Sequence, residues 1–232
     1  MKESFDAIRF NDINTVRNMI KNEDLNKPDI CGETPFMWAA NYRHTEIMRL
    51  MIENGADINA KDGNGDTSLM RAVSHGHTEV VKFLINAGAK IDTKNKKGEA
   101  LLIQTIMQRK MEIAKLLIQG GIDMNATDED GRTALLWILK LRYSVAARIV
   151  LENLTDKNGK RRFSPFNMTT INDCEEIAKL LINKGADVNT VSNDGETPLK
   201  LATKNNHTEI VQALINAGAK IDTTKEDEDL LP

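Results

Sequence analysis

Apolar residues along this chain fall into short runs of helical spacing, in pairs, with polar turns between them. The stretch from Asp62 to Lys94 shows the pattern most fully. Asp62-Gly63-Asn64-Gly65 is a turn cluster, and Thr67 is placed to cap a helix whose apolar positions are Leu69, Met70, Ala72 and Val73. Ser74-His75-Gly76 breaks that helix. Thr78-Glu79 then sets a polar and an acidic residue beside the orphan N–H groups of a second helix. Val80, Val81, Phe83, Leu84 and Ile85 form the apolar face of that helix, and Asn86-Ala87-Gly88 supplies a left-handed stop. Each helix is too short to hold by itself, so the pair needs neighbours on its apolar face.

The neighbours recur at a fixed period. Gly32, Gly65, Gly98 and Gly131 are each 33 residues apart, ahead of helical runs. Gly55, Gly88, Gly121, Gly185 and Gly218 close the second helices, and Asn59, Asp92, Asn125, Asn189 and Asp222 follow four residues later. Self-similarity of this kind marks a stacked repeat array. The segments GETPFMWAANYRHTEIMRLMIENGADINA from Gly32 and GETPLKLATKNNHTEIVQALINAGAKID from Gly195 resemble the ankyrin repeat family, whose unit reads roughly D-x-x-G-x-T-P-L-x-x-A-A-x-x-G-H-x-E-I-V-x-x-L-L-x-x-G-A-x-I/V-N. The resemblance covers nearly the whole chain. It implies an all-α solenoid of stacked helix-turn-helix units with short hairpin-like finger loops.

The period divides the chain into an N-terminal capping unit, 1–28, then units 29–61, 62–94, 95–127, 128–158, 159–191 and 192–224, and an acidic tail, 225–232. Asn18 stands where other units carry Leu50, Phe83, Leu116, Ile149 and Leu180, as suits an outer face with no preceding repeat. Unit 95–127 replaces Thr-Pro with Ala100-Leu101 and Gly-His with Arg109-Lys110. In unit 128–158, Val145, Ala146, Ala147 and Ile149 hold a second helix, but no Gly-Ala pair follows. Gly131 and Gly195 are 64 residues apart, two short of two periods. The deficit predicts an altered finger over 154–162. In the next unit, Ser164-Pro165-Phe166 replaces Thr-Pro-Leu, and Glu175 to Leu181 forms the second helix. An alternative makes 152–172 a single inserted loop; seven units are preferred because long structureless loops are uncommon in compact arrays. In the last unit Val211, Leu214 and Ile215 stay apolar where a terminal cap should turn polar; in one reading Leu230 and Leu231 of the tail, or a partner, cover them, and in the other the tail is a frayed acidic segment.

Composition and charge narrow the function. In 232 residues aromatics are 4%, and the formal net charge is −3, so no global field favours nucleic acid. Cys31 and Cys174 lie in distant units and are not expected to pair. Lys2, Glu3, Asp6, Arg9, Asp12 and Arg17 interrupt any apolar signal core at the start, and no run reaches membrane-spanning length. A cytoplasmic protein is expected. His44, His77 and His207 recur at one repeat position and read as turn residues. His75 and His77 lack a third ligand at zinc spacing. With no nucleophile, phosphate-binding or metalloprotease motif in view, no catalytic residue, metal or cofactor is expected.

Recognition remains. In ankyrin-like arrays the exposed side of the first helices and the finger tips usually face the ligand, and that inference carries over unit by unit. The tenth residue of successive units reads Trp38, Arg71, Gln104, Trp137, Met168 and Leu201; one turn on come Tyr42, His75, Gln108, Leu141, Asn172 and Asn205. Trp, Tyr and Arg are often energetic at interfaces. Candidate binding patches are therefore Trp38, Tyr42, Arg71, His75 and Gln104, then Trp137, Leu141 and Met168. In the competing reading each tryptophan only packs between adjacent first helices. The finger at 157–163 adds Lys157, Lys160, Arg161, Arg162 and Phe163, while the preceding finger is acidic at Asp128, Glu129 and Asp130. Alternating signs suit choosing one protein partner. The expected function is a monomeric, non-catalytic scaffold or adaptor with a protein partner and no small-molecule substrate. Alternatives are an inhibitor or secreted effector that occludes a target protein, and a nucleic-acid binder acting through 157–163.

Overall fold

The computed structural model describes residues 2–92, 100–141 and 165–221, with side chains over 5–92, 100–141 and 172–221. Contacts divide the chain near residue 101 into two compact halves. The first holds three helix pairs: α1 (Lys2–Arg9) and α2 (Ile13–Asn22), α3 (Pro35–Asn41) and α4 (Thr45–Glu53), α5 (Ser68–His75) and α6 (Thr78–Asn86). The second holds α7 (Leu101–Met107) and α8 (Met111–Gln119), α9 (134–141), α10 (Pro165–Asn183), and α11 (Pro198–Lys204) with α12 (Thr208–Asn216). Among the described residues there is no named strand, only an isolated antiparallel bridge between Lys61 and Thr67. No helix there is long and apolar enough to cross a membrane.

Local chemistry accounts for the helix ends. The hydroxyls of Thr34, Thr67 and Thr197 accept from the N–H groups of Met37, Met70 and Lys200 at 3.2–3.3 Å, and Pro35 and Pro198 occupy the first turns of α3 and α11. These caps satisfy donors that the helix cannot. Second helices end at Gly55, Gly88, Gly121, Gly185 and Gly218, all with φ between +83° and +91°, where a side chain would be strained. Their inner faces are buried: Ile47, Met48 and Met51 in α4, Val80, Val81 and Leu84 in α6, Ile113, Ala114 and Leu117 in α8, Ile177, Ala178 and Leu181 in α10. Each large side chain of this set contributes about 1.5–3 kcal/mol by leaving water. Asn18, on α2, is exposed as expected.

Links between described layers span one period in some places and nearly two in the second half. Neighbouring turns are joined by an asparagine whose Oδ1 accepts from a backbone N–H in the next turn: Asn26 from Asp57, Asn59 from Lys90 and Asn189 from Lys220, each 31 residues on, at 2.7–2.8 Å. Asn125 accepts from Asp187, 62 residues on, at 2.9 Å. The other links double in the same way. Lys179 pairs with Glu209 over 30 residues, whereas Lys115 pairs with Glu176 over 61 at 2.8 Å. Cys31 O accepts from Gly63 N–H, whereas Asp130 O accepts from Asn193 N–H, 63 residues later. The helix beside α8 is therefore α10, and the finger beside 128–132 is 192–196. Of units 128–158 and 159–191, the described residues contribute α9 and α10; the second helix expected in 128–158 lies outside them.

The helix over 165–183 also differs from expectation. The segment expected as a first helix, a turn and a second helix within 159–191 is one continuous 19-residue helix, α10. Met168 thus lies in its N-terminal part rather than on a separate first helix. The physical reason lies in the turn residues. Ile171-Asn172-Asp173 take the place of the Ser74-His75-Gly76 break and lack its glycine. Leu154 stands 33 residues after Gly121, where every stacked second helix needs a left-handed residue.

Candidate functional site

The fingers and the first helices are tied together by one recurring arrangement. At the base of three fingers an aspartate accepts two backbone N–H bonds with one oxygen: Asp29 from Cys31 and Glu33, Asp62 from Asn64 and Asp66, Asp128 from Asp130 and Arg132, at 2.8–3.0 Å. The turn is closed by backbone bonds between the aspartate and the residue four on. This is the side-chain turn that aspartate favours. The second oxygen then reaches the tenth-position residue of its own layer. Trp38 Nε1–H donates to Asp29 at 3.1 Å, Arg71 donates to Asp62 at 2.8 Å, and Trp137 Nε1–H donates to Asp128 at 2.6 Å. In the last layer Ser192 takes the aspartate's place, its Oγ accepting from Glu196 N–H at 3.1 Å. Leu201, nine residues on, has no donor to offer.

This arrangement decides what the tryptophan column does structurally. Both rings are half-buried, and each is fixed at its edge by its own finger. Trp38 also packs against Phe5, with centroids 5.0 Å apart, and against Tyr42 at 5.9 Å. Arg132 lies over the Trp137 ring at 5.5 Å. Each indole N–H thus makes a polar tie within its own layer, and Trp38 also meets Phe5 of the adjacent first helix.

Arg71 bridges layers as well as its own finger. It meets Glu33 at 2.5 Å and Asp62 at 2.8 Å, and its Nε–H donates to Asn41 at 3.3 Å. Gly32 is required here for a close approach: at φ +80°, a Cβ would sit 2.6 Å from Gly63 N. His75 is exposed, its Nδ1 hydrogen-bonded to Arg71 O at 2.8 Å and its ring stacked on His77 at 5.6 Å. Tyr42 is 38% exposed and stacks on His44. Ile30, at the tip of the first finger, is fully exposed.

In the second half Gln104 and Leu141 are half-buried, while Lys157, Lys160, Arg161, Arg162 and Phe163 lie outside the described residues, as does the side chain of Met168. The tail, with Leu230 and Leu231, lies outside them too. Charge is paired between fingers: Arg132 contacts Asp130 and meets Asp194 at 3.0 Å, and Lys140 meets Glu196 at 3.3 Å. The Ser192 hydroxyl and then Arg132 hold the Asp194 carboxyl well below its usual range, at about 2. His44, His77 and His207 each start a second helix, their carbonyls accepting from Met48, Val81 and Val211 at 2.8–2.9 Å. Cys31 is exposed and Cys174 buried, and the two form no disulfide.

Known proteins share this architecture. A crystal structure of an ankyrin repeat domain from Acinetobacter baumannii AYE is similar at 26% identity with a TM-score of 0.70, covering 94% of this chain and 98% of that one. A second ankyrin repeat protein of known crystal structure is similar in fold at 24% identity with a TM-score of 0.65, covering 94% and 98%. No curated protein sequence matches the chain. A family model described as "Ankyrin repeats (3 copies)" matches residues 5–95 and 152–225, the second segment starting within the stretch that the asparagine ladder steps over. With most of its length matched and its helix pairs stacked in the same way, the chain belongs to the ankyrin repeat family.

Proposed function

We propose that the chain is a non-catalytic protein-binding module, a scaffold or adaptor whose partner lies along the first-helix face and the finger tips. Members of this family are generally protein–protein interaction modules. The observation that supports this reading most is the cluster around Tyr42. Its ring is exposed beside a Trp38 already held by Asp29 and Phe5, and Ile30 is exposed on the finger of the same layer. An aromatic anchor ordered before binding loses little side-chain entropy on contact, and Tyr and Trp often dominate interface energetics. Repeat surfaces of this kind are extended and largely pre-formed.

The test is affinity capture with the intact chain, followed by titration of the captured partner against Tyr42→Ala and Ile30→Asp. Both positions are exposed, so the fold should be spared. Weakening of about tenfold or more, as for a residue worth above 1 kcal/mol, is the expected result. Unchanged affinity in both variants would remove this face from the binding site.

A further inference from the structure

The turns that join first to second helices are built alike in the first three layers. A residue with positive φ follows each of α1, α3 and α5: Asn11 at 58°, Arg43 at 64° and Gly76 at 72°. The next residue donates its N–H five residues back, Asp12 to Ala7, His44 to Ala39 and His77 to Ala72. Just before the positive-φ residue stand Phe10, Tyr42 and His75, all exposed, Phe10 at 73%. Three successive layers thus present a ring at one position. We propose that this row docks a proline-rich acidic segment of the partner in the polyproline II conformation. The inference rests on the protein-binding reading above and names the partner's chemistry.

The spacing selects the conformation. Helix α1 packs on α3 and α3 on α5, and packed helices lie about 8–10 Å apart. A β-strand covers that distance in about three residues, which puts consecutive contacts on opposite faces. Polyproline II repeats every three residues at about 9.3 Å, so its side chains at i, i+3 and i+6 meet successive rings from one face. Aromatic surfaces dock such helices, and the preformed conformation limits the entropy lost. The rings are themselves held. Tyr42 packs against Trp38 and stacks on His44, His75 stacks on His77, and the Arg9 guanidinium lies over Phe10 at 5.5 Å.

The charge selects the sequence. Arg9 and Arg43 are exposed in these turns, and among the described residues neither meets a carboxylate, unlike Arg71, held between Glu33 and Asp62. His44 Nε2 donates to the Arg9 carbonyl at 3.3 Å, which ties the turns of the first two layers into one surface. Of the acids near in the chain, Asp12 is committed to the cap of α2, accepting from Asn14 and Thr15. Asp6 lies within α1, and Glu46 and Glu79 in the first turns of α4 and α6. Carboxylates between the prolines of a partner would find two guanidiniums without a counter-charge.

The test is an NMR titration of the intact chain with four probes. Three are peptides of repeated Pro-Pro-Glu, Pro-Pro-Lys or Gly-Ser-Glu triplets, about twelve residues long so as to cross three layers; the fourth is an oligodeoxythymidine. The Pro-Pro-Glu peptide is expected to move the amide signals of 9–12, 42–45 and 75–78 and to bind more tightly than the other three probes. Arg9→Ser with Arg43→Gly should weaken it roughly tenfold with no fall in the urea midpoint, and Tyr42→Ala should weaken it by a similar factor. No shift at millimolar peptide, shifts confined to other residues, or equal binding of the Pro-Pro-Lys or Gly-Ser-Glu peptide would overturn the proposal. Tighter binding of the oligonucleotide would overturn it too and assign the row to nucleic acid. A captured partner that loses affinity in Tyr42→Ala but not in Arg9→Ser with Arg43→Gly would keep the protein-binding reading and remove this one.

Discussion

Replacing Arg71 tests whether the tie between finger and first helix carries stability. Its side chain is 22% exposed, between Asp62 at 2% and Glu33 at 17%. Arg71→Leu would leave the second oxygen of Asp62 buried with no cation, and breaking a fully buried pair costs about 3–5 kcal/mol. The partial exposure of Arg71 and the two backbone N–H bonds that Asp62 keeps reduce the cost to about 2 kcal/mol. The last layer shows what compensates. There Ser192 and Leu201 occupy the Asp62 and Arg71 positions, and the serine still accepts the backbone N–H four residues on. Asp62→Ser with Arg71→Leu should therefore recover about half the loss, a coupling of roughly 1 kcal/mol. The assay is equilibrium urea unfolding followed by Trp38 fluorescence in a Trp137→Phe background, so that the signal reports the first half. A single variant within about 0.5 kcal/mol of the parent, the range of an ordinary surface change, would refute the reasoning. So would a double variant whose cost is the sum of the singles.

Two other outcomes are expected. Arg43 and Arg109 hold φ of +64° and +57° where Gly76 has +72°; Arg43→Gly and Arg109→Gly should each stabilise the fold by roughly 0.5–1 kcal/mol, read as a higher urea midpoint, and a lower midpoint in both would contradict the strain argument. The Asp194 carboxyl titrates at about 2 in the folded chain against about 3.9 when unfolded, so its contribution to stability is present above pH 4 and is lost as pH falls toward 2. An NMR titration should place its midpoint there, and Ser192→Ala should move it upward; an unshifted midpoint in that variant would assign the effect to Arg132 instead.

Much of the architecture was legible because it is set by short-range rules. Thr34, Thr67 and Thr197 announce helix starts through a hydroxyl that only a helix N-terminus uses in this way. Gly55, Gly88 and Gly218 announce stops through a backbone conformation closed to most side chains. The polar tie was also written in the chain, as residue pairs nine apart: Asp29 with Trp38, Asp62 with Arg71, Asp128 with Trp137, and Ser192 with Leu201. A donor appears opposite each aspartate and none opposite the serine. Reading the tryptophan column without its finger partner concealed this, because hydrophobic spacing says nothing about which oxygen an indole N–H meets.

The sequence by itself determined the repeat class, the helix pairs, their caps and stops, and the residues that face the core, since each follows from contacts within one period. Only the tertiary structure decided which layers touch. Asn125 has a suitably spaced donor in Asp156 and another in Asp187, and the bond forms with Asp187. Period counting cannot separate the two. The choice depends on the energy of whole interfaces between layers, a quantity that exists only once the helices are packed.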